Sequence, residues 1–243
     1  MLIGVCVLFT AAGCATYTTP GAGVSVGNLS QADADIGEIL KREPAAPFPA
    51  RVAVARVQAP GYSSRSNSSC YGTGQVCVLT TRDIESDQDF QRIAMLPMVS
   101  DLARMSRLLL PPKLDSTKEL WRAAATLKTD LLLVYSLDTG FNIENTDVGP
   151  LALLTLGFLP TKKARVTSTA SAALYDVRTG FLYGVAEATA TEEQRATVWS
   201  STEAVDNSRL KAEAEAFKKL VGEVEKLSGD VLRQHGKAAA ARS

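Results

Sequence analysis

The stretch Asp130-Leu-Leu-Leu-Val-Tyr-Ser-Leu137 constrains this chain more than any other. An apolar run without polar alternation is what a central strand covered on both faces looks like. Such a strand calls for a layered arrangement, with elements packed on each side of a sheet. The residues before it supply one cover: Ser116, with Glu119 three residues on, forms a capping box that opens a helix through Leu120, Ala123, Ala124 and Leu127. The residues after it supply partner strands. Arg165–Tyr175 and Phe181–Thr191 are strand candidates joined by Asp176-Val-Arg-Thr-Gly180, whose Asp and Gly bring the turn chemistry of a hairpin. Their many Ala, Ser and Thr side chains leave one face thin enough for a close helix. Glu203–Leu227 provides that helix, with Leu210, Phe217, Leu220, Val221, Val224 and Leu227 as its apolar stripe.

Upstream, Arg51–Val57 alternates between Pro49 and Pro60 and reads as a strand, and Val76–Thr81 reads as a second. Pro97–Leu110 reads as a helix stopped by Pro111 and Pro112. Leu29, Ala32, Ile36, Ile39 and Leu40 share one helical face, ended by Pro44, Pro47 and Pro49. Together these elements predict one α/β domain over residues 29–230, a mixed β-sheet flanked by helices, with residues 231–243 as a disordered tail. The chain has 243 residues and no internal repeat, and its 26 basic and 26 acidic residues cancel. A zero net charge argues against nucleic acid as the main partner, because phosphate binding needs a basic field.

The first residues point to the cell envelope. Leu2–Phe9 is apolar but far short of the ~20 residues that span a bilayer. It is followed by Ala11, Ala12, Gly13 and Cys14, which together resemble the lipobox of bacterial lipoproteins. That resemblance implies removal of residues 1–13 and attachment of palmitate-type acyl chains to Cys14. Residues 14–28 would then form a tether. Ala15 after the cysteine, in the enterobacterial pattern it resembles, implies sorting to the outer membrane, with the domain facing the periplasm. The thirteen residues Ala15–Gly27 reach at most roughly 45 Å when extended.

Cys6 leaves with the signal. Cys70 and Cys77 then flank Tyr71-Gly72-Thr73-Gly74, a spacing that matches neither a CxxC redox pair nor a zinc ribbon. In an oxidising compartment they close a small loop as a disulfide, and in a reducing one they remain two thiols. The polar stretch Gly61–Gln75 around them is a candidate recognition surface.

Chemistry is sparsely signalled. His235 is the sole histidine, which argues against a Ser-His-Asp triad and against a catalytic zinc site. Neither GxxxxGK[ST] nor GxGxxG occurs, so no cofactor is announced. Asp130, Asp138, Glu144 and Asp147 sit near the ends of the central strand. A hydrolase would need two of them facing each other across about 5–10 Å, whereas solvated loop acids are the plainer reading.

The blocks Arg51-Val-Ala-Val-Ala-Arg-Val57, Leu120–Leu137 and the hairpin around Asp176, Arg178, Thr179 and Gly180 resemble a family of periplasmic lipoprotein domains. That family is the TolB N-terminal type, which includes the curli-secretion lipoprotein and lipoproteins that activate penicillin-binding proteins. The resemblance implies a non-catalytic lipoprotein, held in the membrane by its lipid, that binds an envelope protein in assembly, secretion or cell-wall synthesis. Two alternatives stay open: an oligomeric export component touching the membrane, and a periplasmic hydrolase or ligand binder. The run 151–159 (LALLTLGFL) bears on this choice through Leu151, Leu153, Leu154, Leu156 and Phe158. It reads as a buried strand or packed loop, as a protein-binding patch, or as a membrane contact, and it lacks the alternation of a pore strand.

Overall fold

A computed structural model describes residues 23–26, 36–64, 70–145, 162–196 and 201–240. Cys14, Leu151, Leu153, Leu154, Leu156, Phe158 and Asp147 lie outside the described residues. The strands are β1 (Ala50–Gln58), β2 (Thr73–Gly74), β3 (Cys77–Leu79), β4 (Val99–Arg104), β5 (Lys113–Leu114), β6 (Leu131–Asn145), β7 (Lys162–Asp176) and β8 (Leu182–Ala196). The helices are α1 (Ile36–Ile39), α2 (Asp87–Ala94), α3 (Lys118–Thr126) and α4 (Ser201–Ala240). Among them, no helix is long and apolar enough to cross a membrane.

The architecture is α/β: one mixed sheet of six strands in the order β3-β1-β6-β7-β8, with β4 also paired to β1. β1 and β6 run parallel, while β6, β7 and β8 form an antiparallel meander of strands that are each 15 residues long. The other edge of β1 is shared. Its first half pairs with β4 in parallel, and its last residues, Arg56–Gln58, pair antiparallel with β3. Leu131–Val134 of β6 are fully or nearly fully buried, as expected of a strand covered on both faces.

Each face has its own core. On one, α4 and α2 pack over Val52, Val54, Leu133, Tyr135, Ala170, Ala172 and Leu174. The small residues of β7 and β8 let α4 approach closely: a Cβ on Gly184 would come within 2.5 Å of Leu227 Cδ1. On the other face, α3 covers Ala53, Ala55, Leu132, Val134, Ala173 and Tyr175. Of the capping box expected at Ser116 and Glu119 one arm forms, the Ser116 N–H and hydroxyl both donating to Glu119 Oε2. The Ser116 hydroxyl accepts from the Lys118 N–H and not from that of Glu119, and the helix begins at Lys118 with Thr117 as its N-cap.

Several expectations are corrected. Pro97–Leu110 is not a helix: Val99–Arg104 is β4, because the free edge of β1 offers its backbone a ladder that outweighs local preference. The helix lies just before it, where Ser86 and Asp89 form a capping box and Phe90 and Ile93 turn inward. The strand expected over Val76–Thr81 is confined to Cys77–Leu79. Of the helix expected through Leu29–Leu40, the described part is one turn, and Ile36 and Leu40 are 72% and 81% exposed rather than packed. Residues 231–243 are not a disordered tail as far as Ala240, since α4 runs on and His235 stands edge-on to Phe181 and Tyr183. Of the residues 14–28 expected to form a tether, the described ones, 23–26, pack on the domain. Val26 is buried, the Val24 N–H donates to Ser136 Oγ, and Tyr175 donates to the Val26 carbonyl.

Candidate functional site

Cys70 and Cys77 form a disulfide, with Cα atoms 5.5 Å apart. The loop they close is pinned rather than free. β2 pairs in parallel with β5, and Tyr71 exchanges backbone hydrogen bonds with Val78. Gly72 and Gly74 both have positive φ, and a Cβ on either would collide with Leu114. Residues 70–76 are therefore fastened in place, with Thr73, Gly74 and Gln75 exposed, while residues 65–69 of the expected recognition surface lie outside the described residues.

Of the candidate acids, Asp130 and Asp138 do not converge. Asp130 and Asp138 stand at opposite ends of the run that begins β6, about 27 Å apart at a strand's rise per residue. Asp130 is structural: it accepts the Arg51 N–H and pairs with Arg178. Glu144 is placed only by register, opposite Lys163. The hairpin turn is structural too. Buried Asp176 accepts from the N–H groups of Ala45, Ala46, Arg178 and Thr179 and from the Tyr183 hydroxyl, at 2.7–3.3 Å. Five donors on one carboxylate explain why the turn needs Asp: it ties the hairpin to the chain entering β1.

The meander does create one open site. On the face turned away from α4, aligned residues of β6, β7 and β8 form rows. The row Leu132, Tyr175, Leu182 is apolar. Next come Val134, Ala173, Val185, then Ser136, Ser171, Glu187, and then Asp138, Thr169, Thr189. Residues Gly23–Val26 lie beside the middle rows, and between them and the sheet opens a groove of about 650 Å³. Its volume falls within the range of ligand sites, roughly 300–1,000 Å³. Asp138 and Glu187 are its charged lining residues among those described, and Val185, 60% exposed, is an apolar patch on its floor.

The groove rests on a stiff support. Ser136, which holds Val24, donates to Gln58 Oε1, and Gln58 Nε2 donates to the Leu137 carbonyl. Directly behind, on the α4 face, Thr139 donates to Glu213, which opens onto a buried ionic network. Arg56 Nη1 meets Asp83 at 2.8 Å and Glu85 at 3.2 Å, and Arg209 meets Glu213 at 2.7 Å and Asp206 at 3.1 Å. Tyr135 donates to Glu85, and Arg56 reaches Tyr62. Two guanidiniums thus face four carboxylates. Burial pushes the Glu213 carboxyl up, and Arg209 and Arg56 draw it only part of the way back. Burial works against the Arg56 charge as well, but Glu85 and Asp83 hold that guanidinium above the ordinary arginine range. Burial, reinforced by Glu85, raises the Tyr135 phenol. The network fastens the first turns of α4 to β1 and to the segment entering α2.

Sequence reasoning missed Val185, Glu187, Arg56, Arg209 and Glu213. A signal existed for the last two: Asp206, Arg209 and Glu213 follow helical spacing among Val205, Ala212 and Ala216, so charges share the buried stripe. For Glu187 no local signal separates it from any exposed strand acid.

No family model matches the chain. No curated protein matches it either. A crystal structure of a Xanthomonas campestris protein of the DUF330 family aligns at 14% identity and a TM-score of 0.39, covering 78% of this chain and 91% of that one. The structure of a putative neuraminyllactose-binding hemagglutinin homolog from Helicobacter pylori aligns at 11% identity and a TM-score of 0.35, covering 83% of this chain and 95% of that one. At these scores neither likeness carries an argument about this chain.

Proposed function

We propose that this chain is an envelope lipoprotein, anchored through acylated Cys14 in the outer membrane, whose periplasmic domain binds a protein partner in assembly, secretion or cell-wall synthesis. The observation that carries the reading is the disulfide between Cys70 and Cys77, since such bonds persist in oxidising compartments such as the periplasm. The lipobox-like residues Ala11–Cys14 and the resemblance to TolB N-terminal-type domains agree with that compartment. The docked residues Gly23–Val26 sharpen the geometry. Eight residues, 15–22, separate Cys14 from the domain, a reach of at most about 30 Å. The domain is then held close to the lipid surface, which suits partners that are themselves at the outer membrane.

The test is the intact mass of the detergent-extracted protein, expressed from its native upstream region, with and without reductant. The expected mass is that of a chain starting at Cys14 with three acyl chains, rising by two hydrogens on reduction. An unprocessed and unmodified chain overturns the anchor, and an unchanged mass on reduction overturns the oxidising compartment.

A further inference from the structure

We infer that the groove between residues 23–26 and the face of β6–β8 turned away from α4 holds an extended, basic segment of a partner protein, with an aliphatic residue two positions from a Lys or Arg. The inference rests on the protein-binding reading above and names the chemistry of the partner. Charge complementarity carries it. The described lining includes the carboxylates Asp138 and Glu187 and no basic side chain, so the groove attracts cations and repels acids. Shape and spacing narrow the class. Val185 and Glu187 lie two residues apart on β8 and face the groove together, one apolar and exposed, one acidic. An extended peptide lying along β8 has the same repeat, so an aliphatic side chain over Val185 places the side chain two residues on over Glu187.

Asp138 lies beyond β7, about 10 Å across the sheet from β8, within reach of a second long basic side chain. The hydroxyls of Thr169 and Ser171 stand between the two acids, and Ser171 already orients Glu187 by donating to its Oε2 at 3.3 Å. The segment lies on the face and does not extend the sheet at its β8 edge, where Lys219 occupies the Thr189 carbonyl.

The test uses the full chain and a labelled heptapeptide, Thr-Val-Thr-Lys-Thr-Lys-Thr, read by fluorescence anisotropy beside the same peptide with Glu in place of Lys. The Lys peptide is expected to bind and the Glu peptide not. The double variant Asp138→Asn, Glu187→Gln is isosteric and exposed, and is expected to weaken binding about tenfold and flatten its salt dependence. Val185→Thr is expected to weaken it severalfold. Equal binding of the two peptides, no binding of the Lys peptide, or wild-type affinity in the double variant overturns the inference. A photo-crosslinking residue at position 185, used in the envelope, separates this from failure of the wider reading. A partner captured there equally by wild type and the Asn/Gln variant leaves protein binding standing and removes the basic segment. Capture that depends on both acids supports the inference.

Discussion

The three long strands present two faces that share a backbone and differ in every other respect. Under α4, successive rows read Leu133, Leu174, Gly184, then Tyr135, Ala172, Ala186, then Leu137, Ala170, Ala188. On the opposite face, the interleaved rows pass from Leu132, Tyr175, Leu182 to Asp138, Thr169, Thr189. These rows of the first face are apolar, and on β8 they are small, because a helix must lie close upon them. The second is apolar only as far as α3 reaches, and beyond that line it turns to Ser, Thr, Asp and Glu. The difference shows that the polar half-face is not a depleted core. It is a surface with its own composition, mounted on strands that α4 already holds rigid.

Placing the same charge on each face tests this most severely. Ala170 and Thr169 are chain neighbours that point to opposite faces, the first fully buried against the α4 layer and the second half-exposed in the groove. Ala170→Glu is expected to lose about 3–5 kcal/mol, because it buries an unpaired carboxylate and overfills the space under α4. Thr169→Glu is expected to stay within about 0.5 kcal/mol. Chemical denaturation of both variants checks the pair, and similar losses would mean that the second face is covered in solution.

A smaller effect concerns how α4 is held. Because burial raises the Glu213 carboxyl above its usual 4.5, the folded state binds that proton more tightly than the unfolded chain does. Its contribution is fully present below the unfolded value and is lost as pH rises through the folded one. Glu213→Gln imitates the protonated form, and Arg209 keeps Asp206 while Arg56 keeps Asp83 and Glu85. Thermal unfolding from mildly acidic to mildly alkaline buffer should therefore show the wild type losing stability, relative to Glu213→Gln, as pH rises. A constant difference, or one of opposite sign, would show that the network compensates Glu213 fully.

The smallest expected effect lies on the second face itself. Thr167 and Thr191 are cross-strand neighbours with hydroxyl oxygens 3.0 Å apart, and so are Thr169 and Thr189. Such exposed pairs contribute a few tenths of a kcal/mol. A double-mutant cycle of Thr167→Ala and Thr191→Ala should give a coupling of about 0.2–0.5 kcal/mol. A coupling well above that range would show a face built for rigidity and not for contact with solvent or a ligand.

Much of the fold was legible because it rests on local pattern. The run Leu131–Leu137, the Asp176–Gly180 turn, the small residues of β7 and β8 and the stripe of α4 each carry their own period. β4 was not legible, since Val99–Arg104 becomes a strand only where β1 offers a free edge. The groove was not legible for a related reason. Asp138 precedes the Val185–Glu187 pair by about fifty positions in sequence and meets it only through the β6–β7–β8 register. Asp130 and Asp138, close in sequence, part because the extended first half of β6 runs between them.

An α/β domain with a doubly covered strand, a tight hairpin and a closing helix follows from local sequence, because side-chain periodicity and turn chemistry act within a few residues. That Asp176 binds five donors, that Arg56 and Arg209 share four acids, and that a groove opens beside Gly23–Val26 follows from the assembled fold. These depend on strand register and on the distance at which α4 settles. Both are set by the packing of residues far apart in the chain, and no short stretch of sequence contains that information.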